Sequence, residues 1–559
     1  MYSPIHRFMP ALEVLSGSLW ECCGHLQRGE KHDFLIMEKC LPRLTNLGGQ
    51  ATGRQHPINL FEVMSEFVTE TPEIEPKTVI RKRPRPKKEP TPVKGFRLDL
   101  FDWIPGLKKF VRLRSFQFLV ILPNLFVFHI LFIAGIFGTP VGNKNIMIVF
   151  IWILWWFILI AVMVPFASRI WCAICPMPFF GDWLQRRALI KVRSGKTKGI
   201  KNKMFGRNLR WPKRLSNIWL QNITFLTMCT FSAHLVTRPI VTVGVLGSMV
   251  LLATFLALIY RMRTFCNYIC PVSGFLSLYA MTATVELRSK DTDVCLKCKT
   301  KGCRTGSEDG WACPWFVYMG KLDRNNYCSL CMECVKSCPN DNIALNLRPF
   351  ASDTQIRGYD EAWKGFIMLA LAMAYSIILL GPSGTIKDWA NVAETHAWGG
   401  FAIYTLILWS VALVIVPGIF YGCILLTRRL AKATHIPMKE VFLGYSYLLV
   451  PLGLLAWIAF SVPLLFVNGS YIISVVSDPL GWGWDIFGTA DFPWTPLWPE
   501  YLVFPQIALL LIGLFYALNH SYQIGERLFG SSEAALKGSI PMGVFSIGIT
   551  LAFLRFFTG

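Results

Sequence analysis

The chain has 559 residues, of which 53% are apolar and only 16% are charged, and its mean hydropathy is +0.43. This composition excludes a string of soluble domains and is typical of a polytopic membrane protein. The formal net charge of +22 does not indicate nucleic-acid binding, because the basic residues cluster between apolar segments, as the positive-inside rule predicts.

The first 115 residues precede the first apolar span. Residues 1–79 form a segment of unknown fold, and Met1–Leu26 lacks the basic region and unbroken apolar core of a cleaved signal peptide. Residues 80–115 form a basic, proline-rich linker that approaches the membrane. The run Arg81–Lys94 within it suits the anionic cytoplasmic leaflet.

Nine apolar runs long enough to span a bilayer follow the linker. We predict spans at 116–137, 146–167, 216–236, 239–260, 364–381, 398–421, 441–467, 501–519 and 540–557. The predicted fold is therefore mainly α. It is a polytopic transmembrane helical protein of about nine spans, with a four-span core at 116–284 and a five-span C-terminal membrane domain at 360–559.

The charges of the loops predict an orientation. The loop 168–215 holds a dozen Lys and Arg between Arg186 and Arg214, whereas the loop 468–500 holds none. Basic loops lie on the cytoplasmic side. We therefore expect a multi-pass protein of a bacterial or archaeal cytoplasmic membrane, in contact with lipid. Its N-terminus and the segment 285–350 would lie inside, and its C-terminus outside.

Twelve of the 17 cysteines fall in short groups within 172–338, a clustering typical of metal ligation on a reducing face. The run Cys328-Ser-Leu-Cys331-Met-Glu-Cys334-Val-Lys-Ser-Cys338-Pro339 is the bacterial ferredoxin pattern for a [4Fe–4S] cluster. In two-cluster ferredoxins, the first three cysteines of one motif share a cluster with the last cysteine of the other. A small cytoplasmic ferredoxin-like α+β domain at 285–350 would then bind iron as two [4Fe–4S] clusters, one through Cys295, Cys298, Cys303 and Cys338 and the other through Cys328, Cys331, Cys334 and Cys313.

The upstream motif departs from the usual spacing, since four residues separate Cys298 from Cys303 and nine separate Cys303 from Cys313. The insertion Arg304–Ala312 either forms a loop that leaves the ligands in place or alters or removes the first cluster. Zinc is the alternative metal, because paired C-x2-C groups also occur in zinc ribbons. A third cysteine at the same spacing and the Cys-Pro endings favour iron.

Two similar segments follow the second and fourth predicted spans. One runs from Arg169 through Cys172 and Cys175 to Pro176, and the other runs from Arg263 through Cys266 and Cys270 to Pro271. The block 116–260 is thus a duplicated hairpin whose copies deliver cysteine pairs to the same membrane face. These thiols could complete a metal centre, cycle between dithiol and disulfide, or carry electrons, and Arg169 and Arg263 would favour thiolate. The alternative is a structural helix stop at the proline.

Two histidines lie inside predicted spans, where an ionisable side chain is a functional candidate. His129 and His234 have similar predicted depths, which would permit contact with a quinone or a haem. A structural hydrogen bond between helices is the alternative. Covalent haem is not expected, because the chain has no C-x-x-C-H motif.

The paired Cys-Pro motifs in a four-span core, followed by the ferredoxin pattern, resemble the NapH/NosR group. These are membrane subunits of periplasmic nitrate reductase systems and of nitrous oxide reductase maturation, and the copper-reducing cytochrome oxidase assembly proteins share the motifs. The resemblance covers roughly residues 110–350. The first motif here has two intervening residues instead of three, and the five C-terminal spans have no counterpart.

The resemblance implies a membrane-bound electron-transfer protein. It would pass electrons between the quinone pool and a partner oxidoreductase subunit through its clusters, and any enzymatic role would be that of a quinol-linked oxidoreductase subunit. The alternative is an assembly factor that supplies electrons to a metalloenzyme client, for example for copper reduction, or a redox regulator. Quinol-linked cluster reduction favours the first hypothesis, and metal transfer to a client favours the second.

Overall fold

The computed structural model describes residues 96–380 and 384–558. The assignments made above for residues 1–79 and for the basic run Arg81–Lys94 lie outside these ranges. In chain order, the described helices are α1 Leu100–Trp103, α2 Leu107–Arg112, α3 Phe116–Phe137, α4 Ile146–Ala167, α5 Ile170–Ile174, α6 Phe179–Arg186, α7 Trp219–Thr230, α8 Ser232–Thr237, α9 Pro239–Ile259, α10 Thr264–Tyr268, α11 Pro271–Tyr279, α12 Thr292–Lys297, α13 Gly302–Thr305, α14 Glu333–Ser337, α15 Tyr359–Leu379, α16 Gly384–Ala390, α17 Val392–Thr395, α18 Trp398–Leu430, α19 Met438–Asn468, α20 Ser470–Ser477, α21 Pro499–Phe529 and α22 Ser532–Thr558.

The predicted helical membrane fold is confirmed. Eight of the described helices are long and apolar enough to cross a bilayer, namely α3, α4, α9, α15, α18, α19, α21 and α22. Helix α19 is the most enclosed of them, since 83% of its most apolar window is buried inside the protein. It therefore forms the centre of the helix bundle.

The third predicted span, 216–236, is not one helix but the broken pair α7 and α8. The Thr230 hydroxyl donates to the Leu226 carbonyl one turn back, a bond that tends to bend helices, and it accepts the Trp409 indole N–H at 3.0 Å. The pair still runs the full length of the bundle. Leu209, ahead of α7, bridges Tyr260 at one end, and Thr237 lies against Gly142 at the other.

Five strands in the described ranges form two small sheets near the end of the bundle that carries the cysteines. The strands are β1 Leu98–Asp99, β2 Ser194–Thr197, β3 Ile200–Asn202, β4 Val285–Ser289 and β5 Ile343–Leu347. Strands β1, β5 and β4 form an antiparallel sheet in that order, and β2 and β3 form a hairpin. Strand β1 thus joins the end of the predicted linker to the segment 285–350. Phe101 and Val111 extend this contact, because both are buried in one apolar cluster with Leu287 and Val335.

An aromatic cluster packs the middle of the bundle around Trp457 of α19. Trp457 is fully buried, its indole N–H donates to the Met368 carbonyl at 2.9 Å, and its ring contacts Phe275 and Tyr375. These contacts connect Phe275 of the four-span core with the C-terminal helices α15 and α19.

Replacement of Trp457 by alanine is expected to lower the unfolding free energy by about 3 kcal/mol, through the cavity and the unpaired carbonyl that it leaves. Thermal unfolding of the purified protein in detergent measures this loss. Trp482→Ala is the control, because Trp482 is 56% exposed and packs mainly on Trp484. Equal midpoints for the two variants would contradict the central role of Trp457.

Candidate metal centres

The first predicted ligand set lines one small cavity, which we call site 1: Cys295, Cys298, Cys303 and Cys338. Helix α12 carries Cys295, Cys298 directly follows it, α13 carries Cys303, and Cys338 follows α14. Asn342 holds two of the sulfurs, since its backbone N–H donates to Cys338 Sγ and its amide Nδ2 donates to Cys295 Sγ, each at 3.4 Å. The structure thus brings the four residues together, and hydrogen bonds to sulfur of this kind tune cluster potentials.

The insertion Arg304–Ala312 forms a pinned loop beside site 1. Asn202 at the end of β3 is fully buried. Its amide donates to the Ser307 carbonyl at 2.9 Å and accepts the Ala312 N–H at 2.9 Å. The extra residues therefore loop away from site 1, and they do not separate Cys303 from the other three thiols.

The second predicted set lies next to the first, and we call it site 2: Cys313, Cys328, Cys331 and Cys334. Cys331, Cys328 and Cys313 all contribute to raising the pKa of Cys334, after burial itself. Leu330 and Met332, on either side of Cys331, adopt left-handed φ angles of 54° and 62°. Such angles are costly for these residue types. They turn consecutive thiols of the motif towards one point.

The two Cys-Pro repeats deliver their thiols to a third place, the repeat site: Cys172, Cys175, Cys266 and Cys270. Helices α5 and α10 each follow a long span and carry the first cysteine of a pair. Every pair among these four thiols interacts electrostatically. Ser273 closes the site, because its hydroxyl donates to the Cys266 carbonyl at 2.6 Å and its N–H donates to Cys270 Sγ at 3.4 Å.

Arg263 acts on Cys266 in the expected direction, towards thiolate, but burial opposes it. Burial raises the pKa of Cys266 well above its usual value and that of Cys270 to about 12, and it outweighs the opposing charge of Arg263 at Cys266. Cys266 and Cys270 must therefore lose protons to bind a metal.

Two buried arginines connect the repeat site with site 2. Arg169 donates to Cys172 Sγ at 3.8 Å, to Ser273 Oγ at 2.6 Å and to the Asn326 carbonyl. Its guanidinium also lies 4.1 Å from the centre of the Trp315 ring. Arg263 donates to the Cys172 carbonyl and pairs with Asp182 at 2.8 Å.

In the described part of the chain Arg169 forms no ion pair, although it is only 2% exposed. Burial of a cation without an anion is strongly unfavourable. Lys364 of α15 is in the same position. It is fully buried, its Nζ donates to the Gln221 carbonyl at 3.1 Å, and its charge acts on Cys270. A group with several negative charges at the repeat site would satisfy both cations.

No role for Lys364 is predicted from the sequence, because the predicted span begins at this residue and so places the lysine at the membrane edge. The helix in fact begins at Tyr359. A single lysine followed by an apolar run was the available signal.

The thiol sets match an iron–sulfur cubane better than a single ion. Among residues 96–380 and 384–558, no three His, Cys, Asp or Glu side chains are gathered closely enough to hold one metal ion. Tetrahedral zinc requires sulfurs about 2.3 Å from one centre, whereas a cubane binds each thiolate through a different iron. Four mutually close but separate thiols, with hydrogen-bond donors and cations around them, fit the larger group.

An apolar cavity of about 990 Å³ lies at the opposite end of the bundle, and a second one of about 240 Å³ extends it towards the repeat site. Trp152, Trp156, Phe225, Met228 and Leu235 line both cavities. The smaller cavity reaches the first repeat at Trp171, Pro176 and Met177. We call the two cavities together the passage, since the residues that they share place the smaller one between the large cavity and the first repeat.

The structure does not bring the two predicted histidines together. His129 Nδ1 bonds the Leu125 carbonyl of its own helix at 2.7 Å, and His234 Nε2 accepts the Ala393 N–H at 2.9 Å. Neither ring is among the residues that line the large cavity. Their contact with quinone or haem stays a prediction.

Comparison with known proteins matches the family described as "4Fe-4S binding domain" to residues 148–197 and 243–284. These two segments contain the four cysteines of the repeat site, whereas 285–350 lies outside them. The uncharacterized protein MJ0750 of Methanocaldococcus jannaschii is 30% identical over 105 residues, which are 18% of this chain and 40% of the relative. The chain thus spans less than half of the relative's length, and no solved structure matches. Together with the eight apolar helices, the match shows a multi-pass membrane protein with a 4Fe-4S binding domain.

Proposed function

We propose that this protein resembles NapH/NosR in function and transfers electrons between membrane quinol and a partner oxidoreductase subunit. It would do so through two [4Fe–4S] clusters at sites 1 and 2 and a third at the repeat site. The observation that carries the proposal is the order of the three thiol sets. Cys303 of site 1 acts on Cys334 of site 2. Arg263 in turn acts on Cys331 and contacts the repeat site through Cys172.

Bound clusters would supply one-electron chemistry, and the protein's own residues set where it occurs. Each of the three sites has buried thiols, such as Cys303 at site 1, Cys331 at site 2 and Cys266 at the repeat site, which limits the access of water. Asn342, Ser273 and Arg169 supply donors to sulfur. Burial and such hydrogen bonds are the means by which a protein sets cluster potential.

The passage beside the repeat site fits a quinone. An aromatic ring with an isoprenoid tail requires an apolar, aromatic-lined cavity within the bilayer, with a few polar groups. The large cavity offers Tyr375, Ser232 and Cys229 among its lining residues. Oxidation of one quinol releases two electrons and two protons, so two one-electron sites would accept the electrons.

The orientation of the protein follows from the loop charges. We propose that sites 1 and 2 face the cytoplasm of a bacterial or archaeal cell and that the large cavity opens towards the opposite leaflet. Copper delivery to a metalloenzyme client is less well supported, because all four thiols of the repeat site are buried. Metal transfer would require their exposure.

Met228→Trp tests the quinol route. Met228 is half-buried where the two cavities meet, and a larger side chain there should lower the rate of cluster reduction by a short-chain quinol at least about tenfold. Reduction by dithionite should stay unchanged, because it does not use the cavity. The readout is the bleaching of cluster absorbance in anaerobic stopped-flow measurements.

Ile223→Trp is the matched control on the same helix, since Ile223 is 53% exposed and faces away from the cavities. The quinol route is rejected if quinol reduces the wild-type clusters no faster than a blank without quinol, or if Met228→Trp and Ile223→Trp react at the same rate.

A further inference from the structure

Two of the four ligands of site 1, Cys298 and Cys338, are partly exposed at the protein surface. The Cys298 side chain is partly exposed, whereas Cys295 and Cys303 are buried. Leu296, two residues before Cys298, is 60% exposed. An exposed apolar side chain therefore lies at the centre of the segment that carries this ligand.

Basic side chains surround this centre. Lys297, Lys299 and Lys301 are exposed on either side of Cys298 along the chain. Lys201 of β3 is also exposed, and its charge contributes to the lowered pKa of Cys298, after the hydrogen bond from Thr300. We call this set the Cys298 surface: Lys201, Leu296, Lys297, Cys298, Lys299 and Lys301.

Two acidic residues, Asp291 and Asp293, lie at the start of α12, before Cys298. Asp291 caps the helix by accepting the Asp293 N–H at 2.7 Å, and its carbonyl accepts from Asn342. The lysines at positions 201, 297, 299 and 301 outnumber these two carboxylates, so the formal charge around Cys298 is positive.

The hairpin that presents Lys201 is rigidly held. On one side of Lys201, Ile200 is 1% exposed and packs on Met262 and Ala312. On the other side, Asn202 is bound to the loop 304–312 through Ser307 and Ala312. The backbone that carries Lys201 is therefore ordered before any partner arrives, so that binding requires ordering of the lysine side chain alone.

We propose that an acidic, soluble one-electron carrier protein docks on the Cys298 surface. This docking rests on the proposed electron-transfer function, and the carrier would be its partner on the aqueous side of the membrane. A ring of lysines steers an acidic protein to its site, and an exposed apolar residue at the centre supplies short-range contact. One electron passes between the two proteins: the donor is oxidised by one electron, the acceptor is reduced by one, and no bond or proton moves.

Anionic lipid is the other occupant that lysines could attract. A lipid headgroup is disfavoured here because it would contact only the lysines. It would leave Leu296 and the partly exposed ligand between them without a contact. The lysines are also shared between a strand of the 168–215 loop and a helix of the iron–sulfur domain, which suits a surface that spans two elements.

Binding tests the docking without depending on turnover. Full-length protein in phosphatidylcholine nanodiscs is titrated with an oxidised, acidic two-cluster ferredoxin as the probe. The triple variant Lys201→Glu, Lys297→Glu, Lys299→Glu is expected to bind at least about tenfold more weakly and to lose most of the dependence on ionic strength. Leu296→Ser should weaken binding about threefold with the salt dependence intact.

The matched control reverses the same number of charges in another basic loop, with Arg429→Glu, Lys432→Glu and Lys439→Glu, which are all exposed at the junction of α18 and α19. It should bind the probe within about twofold of wild type. Equal weakening in both triple variants would overturn the proposal and indicate a non-specific charge effect. So would a wild-type protein that fails to bind the probe.

Nanodiscs with phosphatidylglycerol test the lipid alternative. If the first triple variant lost affinity for anionic lipid while its affinity for ferredoxin stayed unchanged, the docking proposal would be rejected. Iron and acid-labile sulfide are measured in every sample. Absence of iron would reject the proposed function, whereas full iron with no ferredoxin binding would reject the docking surface alone.

Discussion

Replacement of Cys175 and Cys270 by serine is expected to lower the iron and acid-labile sulfide of anaerobically purified protein from about twelve to about eight atoms of each per chain. One thiol is removed from each repeat, and two remaining thiols cannot hold a cubane. Sites 1 and 2 should keep their clusters, because none of their ligands is touched. One set of signals in electron paramagnetic resonance spectra of the reduced protein should disappear and the others should stay.

Two further variants test whether the lost iron belongs to the repeat site. Cys423→Ser is the control, since Cys423 is a half-buried thiol of α18 outside all three sets, and its iron content should equal that of wild type. Cys331→Ser should remove a different set of signals, that of site 2. A wild-type protein with about eight irons would contradict the third cluster. If its Cys175 and Cys270 then changed reversibly in alkylation with redox potential, the repeats would form a dithiol pair instead.

The membrane fold could be predicted closely because the signal is a long apolar run with charged ends. The break at Phe231 could not, because no Gly or Pro interrupts residues 219–237. It depends on a hydroxyl bond within the helix and on Trp409, a residue 179 positions from Thr230. The predicted span 364–381 begins five residues after the start of the helix at Tyr359, so it gave no sign that the fold buries Lys364.

The composition of the sites could be predicted from spacing, but their surroundings could not. The exchange of the last cysteine between motifs is a property of the ferredoxin pattern, and the structure places the thiols in that arrangement. Whether the insertion Arg304–Ala312 disturbs site 1 depends on Asn202, which comes from a hairpin about a hundred residues earlier. The role of Arg169 likewise depends on three distant segments that meet only in the fold.

Replacement of Arg169 by methionine is expected to lower the midpoint potential of the cluster at the repeat site. This is the cluster whose signals the double replacement of Cys175 and Cys270 removes. The guanidinium donates to Cys172 Sγ at 3.8 Å and has no carboxylate partner among the described residues, so its positive charge favours the reduced, more negative state of a nearby redox centre. A unit charge about 6 Å away at an effective dielectric constant of about 20 contributes about 3 kcal/mol. This corresponds to a fall on the order of 100 mV for a one-electron couple.

Redox titration followed by electron paramagnetic resonance measures this shift, and two further variants separate charge from structure. Arg169→Lys keeps the charge and should recover most of the potential, although it loses the forked contact with Ser273 and Asn326. Arg214→Met removes an exposed arginine of the same loop and should leave the potential unchanged. If Arg169→Met lowered thermal stability but not the potential, Arg169 would only fasten the repeats to the iron–sulfur domain. A lowered potential restored by lysine means that the buried charge itself sets the energy of electrons entering the repeat site.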